Sequence, residues 1–545
     1  MIPGRRQSRV QNTLKTAIYQ GRFPVNTIMA NAEHILQIAA EVSGKGVELL
    51  IFPESALTGY VVQDLLLQED FKATVQKALQ ILQEQLPKNM WVLIGTPFYQ
   101  NARIFNAAMV FNAGAVQQIY AKQALPNHEV FDEQRYFTKG TETNVLKIKG
   151  LKIGIMICED FWVDEITTHY PKHLDATVII NASPFFVDKR EQRLARAQIV
   201  AKQLGTSILY AHQIGAQDEI IFDGGSFALD TKGTLLGTLP QFEVGLGLIE
   251  ISKKNCMLHS GWQDHFKLDE ITERYQALVF ALQEYALKNR FSGVILGLSG
   301  GIDSALTLAL AVQALGAENV EAVLMPSRFT QMMSIEDALQ QAKTLGIKTH
   351  QLNIETLFTT FLTEVSPHFD KKEWDLTEEN IQARLRGMIL MALSNKSGKM
   401  VVTTTNKSEL AVGYGTLYGD LAGGFALLKD VYKTEVYALA EFCNREEEII
   451  PRRVIERAPS AELREDQTDQ DSLPEYPLLD AIIKLYVEEN LGVESMIAKG
   501  YPKAIVERII KMIDKCEYKR QQAPIGPKVS KRAFGKDWRM PVTKG

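Results

Sequence analysis

The chain of 545 residues has few cysteines and little net charge. Its four cysteines lie far apart, without zinc-like spacing, so the sequence indicates neither a disulfide framework nor a zinc ribbon. Lys and Arg total 60, Asp and Glu total 65, and the net charge of −5 argues against nucleic-acid binding through bulk charge. This composition favours a reduced, cytoplasmic protein in which an important cysteine is reactive rather than bridged.

Long apolar runs are also lacking. No run reaches the roughly eighteen apolar residues that a membrane span requires, so we expect no membrane association. The N-terminal stretch MIPGRRQSRVQNTLK is positively charged but has no apolar core, and we expect no secretory signal there. Hydrophobic residues still make up 46% of the chain, enough for sizeable buried cores in three to four average domains or two large ones.

The first half of the chain alternates short apolar runs with helical patterns. The runs predict strands that are covered on both faces, at 47–52, 91–96, 104–111, 151–158, 176–183 and 206–211. Helical patterns lie between them, for example at 30–42 and 191–203. Short, glycine-spaced strands after Phe227 indicate that a sheet-dominated domain ends near residue 252.

The second half has a different rhythm. After a charged helical segment at 269–289, strands alternate with helices, a pattern typical of a parallel, doubly wound sheet. We place the boundary between the two domains near 255–265. The acidic, proline-flanked stretch 459–475 is expected to form a loop rather than core.

The stretch VILGLSGGIDSALTLAL (294–310) predicts a phosphate site. A buried strand ends at Leu298, and Ser-Gly-Gly turns the chain into a helix that begins near Asp303. The glycines allow close backbone approach, and the helix N-terminus presents free N–H groups to an anion. Ser299 and Ser304 add hydroxyl donors. The spacing matches neither a Walker A loop nor a dinucleotide fingerprint.

A second polar segment, 401–439, follows a predicted strand at its C-terminal end, where α/β sheets bind ligands. Its TTNKSE run offers donors to phosphates and sugar hydroxyls, and two acids provide free carboxylates. The donors are Thr404, Asn406, Lys407 and Ser408, and the acids are Glu409 and Asp420.

The loop at 297–304 resembles that of the ATP pyrophosphatases, which include NAD, GMP and asparagine synthetases. The segment 401–439 is similar to the NAD synthetase signature, as are 379–395, 464–476 and 517–534. The resemblance covers essentially all of 265–540. It implies an adenine nucleotide alpha hydrolase-like fold with a doubly wound parallel sheet.

The resemblance to NAD synthetases also implies roles for individual residues. The residues expected to bind ATP are Gly297, Leu298, Ser299, Gly300, Gly301, Ile302, Asp303, Ser304 and Thr404. Those expected to bind deamido-NAD are Asn380, Glu409, Asp420 and Lys519. Asp303 and Glu409 are the expected neighbours of Mg²⁺, because a hard cation between phosphates prefers carboxylate oxygens.

Three residues of the first half suit nucleophilic catalysis. Glu54, Lys122 and Cys158 each lie at or just after the end of a predicted strand. A carboxylate takes the thiol proton, the thiolate attacks a carbonyl, and an ammonium offsets the charge that grows on the carbonyl oxygen. Each residue alone is more often structural, and only the set in this order favours catalysis.

This set resembles the nitrilase superfamily, whose chain is an αββα sandwich. The resemblance implies an amidase that releases ammonia through a thioester, with Glu133 as an auxiliary carboxylate and Glu129 as the alternative. In NASPFFVDKR (181–190), Ser183 and Lys189 are the implied glutamine contacts. His128, six residues after Lys122, takes the third contact position, where such enzymes usually have tyrosine.

Together the halves resemble the glutamine-dependent NAD synthetases. The predicted domains are an amidase at 14–255 and an NAD synthetase at 265–540. The resemblance implies ATP, deamido-NAD and glutamine as substrates, an adenylated intermediate, Mg²⁺ and a homo-oligomer. Two alternatives stay open: an ammonia-only synthetase with a degenerate regulatory amidase domain, and another ATP pyrophosphatase-type amidotransferase.

Overall fold

The structure, a computed structural model, describes residues 12–253, 255–264, 268–369, 373–465 and 467–543. The chain divides into two compact units: Met1–Gln217 with Ile221–Leu268, and Asp218–Ile220 with Asp269–Gly545. Most of the stretch for which we expect no secretory signal, and residue 265, where we placed the start of the second domain, lie outside the described residues. No helix of the described part is long and apolar enough to cross a membrane.

The N-terminal unit is built from strands and a few helices. In chain order its elements are β1 (Leu14–Gln20), α1 (Ile28–Gly44), β2 (Leu49–Ile51), α2 (Glu69–Gln85), β3 (Trp91–Gln100), β4 (Arg103–Asn112), β5 (Ala115–Ala121), α3 (Glu133–Tyr136), β6 (Asn144–Ile148), β7 (Leu151–Ile157), α4 (Asp164–Thr168), β8 (Ala176–Asn181), α5 (Lys189–Leu204), β9 (Ser207–His212), β10 (Ile214–Gln217), β11 (Ile220–Asp223), β12 (Phe227–Leu229), β13 (Leu235–Thr238), β14 (Gly245–Ser252) and β15 (Asn255–Leu258). Short 3₁₀ helices lie at Gln63–Leu67 and Cys158–Trp162.

Two sheets form the centre of this unit. One has seven strands in the order β15-β14-β1-β2-β3-β4-β5, and the other has six in the order β13-β12-β9-β8-β7-β6. Successive side chains of a strand face opposite sides, so Leu49 and Ile51 pack between the sheets while Leu50 packs in a separate cluster with helices α1 and α2. On the second sheet, Met156 and Ile179 pack against α5. This αββα sandwich confirms the predicted fold class.

The C-terminal unit alternates strands and helices. Its elements are α6 (Glu270–Lys288), β16 (Val294–Gly297), α7 (Ile302–Leu315), β17 (Val320–Leu324), α8 (Met332–Thr344), β18 (Lys348–Gln351), α9 (Glu355–Val365), α10 (Leu376–Ser397), β19 (Met400–Thr403), α11 (Lys407–Val412), β20 (Phe425–Ala426), α12 (Lys433–Cys443), α13 (Arg452–Glu456), α14 (Tyr476–Val487), α15 (Val493–Ala498), α16 (Lys503–Lys515) and α17 (Glu517–Arg520). Short 3₁₀ helices lie at Ala317–Asn319, Ser366–His368 and Asp469–Asp471.

A five-stranded sheet in the order β18-β17-β16-β19-β20 organises this unit, and its pairs are all parallel. Helix α10 covers Ile295 and Val401 of the sheet, and α7 packs on β16 and β17. Local signals fix the helix ends. Asp375 caps α10 by accepting the Thr377 N–H at 2.7 Å, and Gly398 ends that helix with a φ of 70°. The predicted parallel, doubly wound sheet is confirmed.

A buried lysine of the C-terminal unit connects parts of the chain that are far apart in sequence. Lys407 at the start of α11 is fully buried, and its ammonium pairs with Asp430 at 2.9 Å and Glu488 at 2.8 Å. It also donates to the Ser530 hydroxyl at 2.6 Å. Burying ions is costly, and removing one partner leaves the others uncompensated.

We therefore expect Lys407→Met to lower the free energy of unfolding of the C-terminal unit by about 3–5 kcal/mol, because Asp430 and Glu488 lose their common cation. Urea unfolding followed by tryptophan fluorescence measures this change. Lys503→Met is the control, since Lys503 is 65% exposed and pairs with Glu507 only at 3.8 Å. The expectation is wrong if the two variants unfold at the same urea concentration.

Candidate active sites

The predicted amidase residues follow three strand ends of the N-terminal unit. Glu54 lies three residues after β2, Lys122 directly follows β5, and Cys158 directly follows β7. Strands β2 and β5 belong to the seven-stranded sheet and β7 to the six-stranded sheet. Both sheets of the sandwich therefore contribute to one cluster.

The Lys122 ammonium lies at the centre of this cluster. It contacts Glu54 Oε1 at 2.9 Å and Glu133 Oε1 at 2.8 Å, and the lysine side chain is fully buried. Asn106 donates to the same Glu54 oxygen at 2.7 Å, and the Tyr60 hydroxyl donates to Glu133 at 2.8 Å. Glu133, rather than the alternative Glu129, thus shares the lysine with Glu54.

Backbone geometry fixes the direction of the Glu54 carboxylate. Its Oε2 accepts the Ala182 N–H at 2.8 Å, so both oxygens are held. Strand β3 passes close behind the turn that carries Glu54. A Cβ at Gly95 would lie 2.4 Å from the Ser55 nitrogen, so this approach requires glycine.

Cys158 occupies a left-handed position, with a φ of 44°, at the turn from β7 into the 3₁₀ helix. Such strained turns at non-glycine residues are typical of functional sites. Two residues later, the buried Asp160 joins this turn to the end of β5. Its carboxylate accepts N–H groups from Ile157 at 2.9 Å and from Ala124 at 2.8 Å.

Asp160 was not identified from sequence, where an acid after a strand gives no distinctive signal. It also accepts the Gln123 N–H at 2.9 Å and the Tyr120 hydroxyl at 2.8 Å. The four bonds fix the turn at Cys158 relative to the residues on either side of Lys122.

Burial and the neighbouring charges shift the pKa values of three groups in the cluster. Burial raises the pKa of the Cys158 thiol well above its usual range; Glu54 adds to this rise and Lys122 opposes it. Burial raises the pKa of Glu133 to about 7, although Lys122 lowers it. For Lys122, burial acts against the charge, but Glu133 and Glu54 raise its pKa well above the ordinary value.

The predicted glutamine contacts differ in their surroundings. Ser183 is buried directly after the Ala182 N–H that holds Glu54. The Lys189 ammonium lies 4.9 Å from the centre of the Trp162 ring, and burial lowers the pKa of this lysine. The His128 side chain is 58% exposed, with Nε2 3.8 Å from Glu159 Oε1. His128 therefore lies beside the residue that follows Cys158, at a more solvated place.

In the C-terminal unit, the predicted phosphate loop joins β16 to α7. Gly300 has a φ of 80°, and a Cβ there would lie 2.2 Å from the Ser334 carbonyl oxygen. The Ser304 hydroxyl donates to the Gly301 carbonyl at 2.9 Å and lies 3.1 Å from the Ser299 hydroxyl. Thr404 follows β19, which pairs in parallel with β16, so both strand ends lie at one edge of the sheet.

Asp303 and Glu409 are brought together by a lysine that the sequence analysis did not assign. Lys433 contacts Asp303 Oδ2 at 2.5 Å and Glu409 Oε1 at 3.1 Å. Asn406 donates to the other Asp303 oxygen at 2.8 Å. Burial raises the pKa of Glu409 to about 8, against the lowering effect of Lys433. The sequence held one signal for a role of Lys433, because this lysine lies within the segment 401–439 that resembles the NAD synthetase signature.

The other residues predicted to bind deamido-NAD surround the loop after α11. Asn380 accepts the Thr416 hydroxyl at 2.7 Å, and Asp420 accepts the Thr416 N–H at 2.8 Å. Lys519 donates to the carbonyls of Gly413 and Gly415, each at 2.8 Å. These three side chains therefore all bond to residues 413–416 of this loop.

Two sequence expectations in this unit were wrong. Lys407 and Ser408 are buried and bonded within the protein, and therefore do not face a ligand. Glu409 and Asp420 are not free carboxylates, because each has the partner given above. The described part of 459–475 is irregular apart from the 3₁₀ helix, as expected for a loop, but Asp469 is 3% exposed and accepts the Tyr476 hydroxyl at 2.7 Å.

Comparisons with known proteins match a family to each half of the chain. The carbon-nitrogen hydrolase family matches residues 15–257, and the NAD synthase family matches residues 274–523. A glutamine-dependent NAD(+) synthetase of Acinetobacter baylyi is 43% identical, over 98% of this chain and 99% of the relative. That of Aquifex aeolicus is 42% identical over 97% and 99%. The chain belongs to the glutamine-dependent NAD(+) synthetases.

Solved structures of these synthetases have the same fold. The enzyme of Acinetobacter baumannii, solved with ADP, is 40% identical and superposes with a TM-score of 0.77 over 97% of this chain and 98% of that one. A synthetase of Cytophaga hutchinsonii, 21% identical, superposes with a TM-score of 0.83 over 98% and 97%. The predicted family and its enzyme class, a carbon–nitrogen ligase that makes NAD with glutamine, are confirmed.

The phosphate loop gives a prediction for ATP binding. Gly300→Ala is expected to weaken ATP binding at least tenfold, because the new Cβ cannot occupy the position 2.2 Å from the Ser334 oxygen without displacing the loop. Calorimetric titration with ATP measures this change. Gly346→Ala is the matched control: its φ is also positive, at 67°, but nothing lies within 4 Å of the added Cβ. Equal ATP affinity in the two variants would contradict the prediction.

Proposed function

We propose that the N-terminal unit releases ammonia from glutamine and that the C-terminal unit uses it to convert deamido-NAD to NAD at the expense of ATP. The observation that carries the proposal is the buried Glu54–Lys122–Glu133 cluster beside Cys158, in a chain related to glutamine-dependent NAD(+) synthetases over its full length. We keep 14–255 and 265–540 as the proposed domains.

The proposed amidase reaction begins with a neutral thiol. Burial holds the pKa of Cys158 high, so the thiolate forms only as Glu54 accepts the proton during attack on the glutamine side-chain amide. The sulfur–carbon bond forms as the carbonyl π electrons move to oxygen, where the Lys122 ammonium offsets the charge. Glu54 returns the proton to the leaving nitrogen, ammonia departs and a thioester remains. Water, deprotonated by Glu54, then attacks the thioester carbonyl; the carbon–sulfur bond breaks, Glu54 returns the proton to the Cys158 sulfur, and glutamate is released.

Glu133 supports this chemistry through the lysine. It shares the ammonium with Glu54, so Lys122 stays charged while Glu54 gains and loses its proton. The Tyr60 hydroxyl and Asn106 fix the carboxylates in turn. Ser183, Lys189 and His128 are the proposed contacts for the amino-acid part of glutamine.

In the C-terminal unit, the nicotinate carboxylate of deamido-NAD is proposed to attack the α-phosphorus of ATP. Pyrophosphate leaves and an adenylate forms; ammonia then attacks the activated carbonyl and displaces AMP, which gives NAD. Residues 297–304 and Thr404 are the proposed ATP site, since the N-terminus of α7 and the glycine turn present N–H groups to phosphates. Asn380, Glu409, Asp420 and Lys519 are the proposed deamido-NAD site.

Mg²⁺ suits this site by the chemistry of its donors. Asp303 and Glu409 both reach the Lys433 ammonium, so their carboxylates are close enough to share one cation. Among the described residues, no group of three His, Cys, Asp or Glu side chains can hold a metal. Mg²⁺ commonly takes one or two protein carboxylates and completes its shell with substrate phosphates and water. We propose that Asp303 and Glu409 hold Mg²⁺, which would neutralise charge on the phosphates.

A cytoplasmic location and a homo-oligomer complete the proposal. The four cysteines are all free, as expected for a reducing compartment.

Apolar side chains on α9 and α10 are unusually exposed: Leu357 by 47%, Phe361 by 44%, Leu376 by 69% and Met388 by 60%. Exposed apolar surface of this kind is typical of a protein interface.

The amidase assignment predicts a selective loss in Cys158→Ala. NAD formation from deamido-NAD and ATP should vanish with glutamine, because no thioester forms, and should persist with ammonium. Both nitrogen sources are assayed on wild type and variant, with Mg²⁺ present. Cys256→Ala is the matched control, because Cys256 is another buried free cysteine of the same unit.

The outcomes separate the alternatives. Failure of wild type to form NAD from either nitrogen source would refute the synthetase proposal. Equal use of glutamine by Cys158→Ala would refute the amidase assignment. A wild type that uses ammonium alone would favour the degenerate amidase.

The exposed apolar side chains of α9 and α10 predict that Met388→Lys lowers the mass of the particle in solution, because a charge there opposes burial in an interface. Light scattering after size-exclusion chromatography measures the mass against the 61.1 kDa of one chain. Leu287→Lys is the control, with Leu287 70% exposed on α6. A wild-type mass of one chain would contradict the oligomer.

A further inference from the structure

A second buried charge cluster lies in the N-terminal unit, and the reaction proposed above does not use it. Arg193 on α5 contacts Asp223, the last residue of β11, with 2.7 Å between Nη1 and Oδ1. His212, the last residue of β9, places Nε2 3.4 Å from the same oxygen. All three side chains are 2% exposed or less.

This cluster holds the irregular segment between β8 and α5. The second Arg193 nitrogen, Nη2, donates to the carbonyls of Ser183 at 3.0 Å and Pro184 at 3.2 Å. His212 Nδ1 lies 3.2 Å from the Asn181 carbonyl oxygen. Backbone outside helices and strands needs other partners when it is buried, and here the Arg193 guanidinium and the His212 ring supply them.

The same segment serves the proposed amidase site. The Ala182 N–H fixes Glu54 Oε2 at 2.8 Å, and Ser183 is a proposed glutamine contact. A shift of this segment would therefore displace the general base and a substrate contact together. Since 1 Å of misplacement can cost about 10²-fold in rate, the position of these carbonyls matters for catalysis.

Stability alone is a poor reason for such a cluster. Burying an ion pair costs desolvation free energy that the attraction between the charges often does not recover. Burial acts to raise the pKa of Asp223, yet Arg193 and His212 hold it well below its usual range, so the aspartate stays charged. The guanidinium also has a geometry that a lysine lacks: its planar fork reaches a carboxylate and two carbonyls at once.

We propose that Arg193, paired with Asp223, is a positioning residue for the amidase reaction, which fixes the backbone of 181–184 so that the Ala182 N–H aligns Glu54 beside Cys158. This inference rests on the proposed function of Cys158. It assigns no contact between Arg193 and glutamine.

Arg193→Lys in the full chain tests the inference, because lysine keeps the charge beside Asp223 but cannot bridge both carbonyls. We expect kcat for glutamine hydrolysis to fall about 10²-fold and KM to rise, while ammonium-driven NAD formation in the same preparation is unchanged. Asp223→Asn, which keeps the shape of the side chain, should lower kcat in the same direction.

Val200→Ala is the matched control. Val200 is buried on the same helix and contributes only apolar packing, so its truncation lowers stability without touching 181–184. Thermal unfolding of each variant is measured beside the kinetics. A fall in kcat for Arg193→Lys but not for Val200→Ala supports the positioning role.

Two results would overturn the inference. If Arg193→Lys and Asp223→Asn lower only the unfolding temperature, with kcat and KM per folded enzyme at wild-type values, the cluster is merely structural. If Cys158→Ala still hydrolyses glutamine, the proposed amidase function fails first and the inference fails with it. The Cys158→Ala assay thus tells the two failures apart.

Discussion

A lysine ammonium removed from water needs carboxylates around it, and both candidate sites of this protein depend on that constraint. Lys122 lies between Glu54 and Glu133, and Lys433 between Asp303 and Glu409. A buried charge without partners is so costly in free energy that its partners must lie beside it in the folded protein. The strand ends and helices that carry these residues are therefore fixed relative to one another within each unit.

The two lysines differ in what they do for the proposed chemistry. Lys122 faces a thiol and remains charged because two acids share it, so it is available to an oxyanion without moving. Lys433 holds two carboxylates beside a glycine turn and a helix N-terminus, where phosphates are favoured. Lys407 is also fully buried between two acids, but its role is structural, since it bonds to Asp430, Glu488 and Ser530 and to neither site.

Much of the fold could be predicted from the sequence because its signals are local. The apolar run 151–158 became the strand Leu151–Ile157, and the helical pattern 191–203 became Lys189–Leu204. The pattern missed helix ends by two residues or fewer, because caps such as Gly205 lie outside the apolar period. The order Glu54, Lys122, Cys158 was readable for the same reason, as each follows an apolar run.

Other features could not be read because a residue's type does not show its partners. Lys407 and Lys433 are both buried lysines of one recognised segment, yet Lys407 pairs with Asp430 and Glu488 and Lys433 bridges the two site carboxylates. The acidic stretch 459–475 has the composition of an exposed loop, but Asp469 is buried because the hydroxyls of Tyr414 and Tyr476 replace its water. Asp160 and Arg193 gave no signal, since their bonds join positions far apart in the chain.

The sequence by itself determined the family, the order of the strands and helices, and the residue types that the chemistry needs. Periodicity, glycine turns and short motifs are properties of neighbouring residues, and they survive in the linear chain. Only the tertiary structure decided which charges meet, which carbonyls Arg193 holds and which acids surround each buried lysine. These pairings depend on burial and on distances of about 3 Å between groups brought together by folding, and no local pattern encodes them.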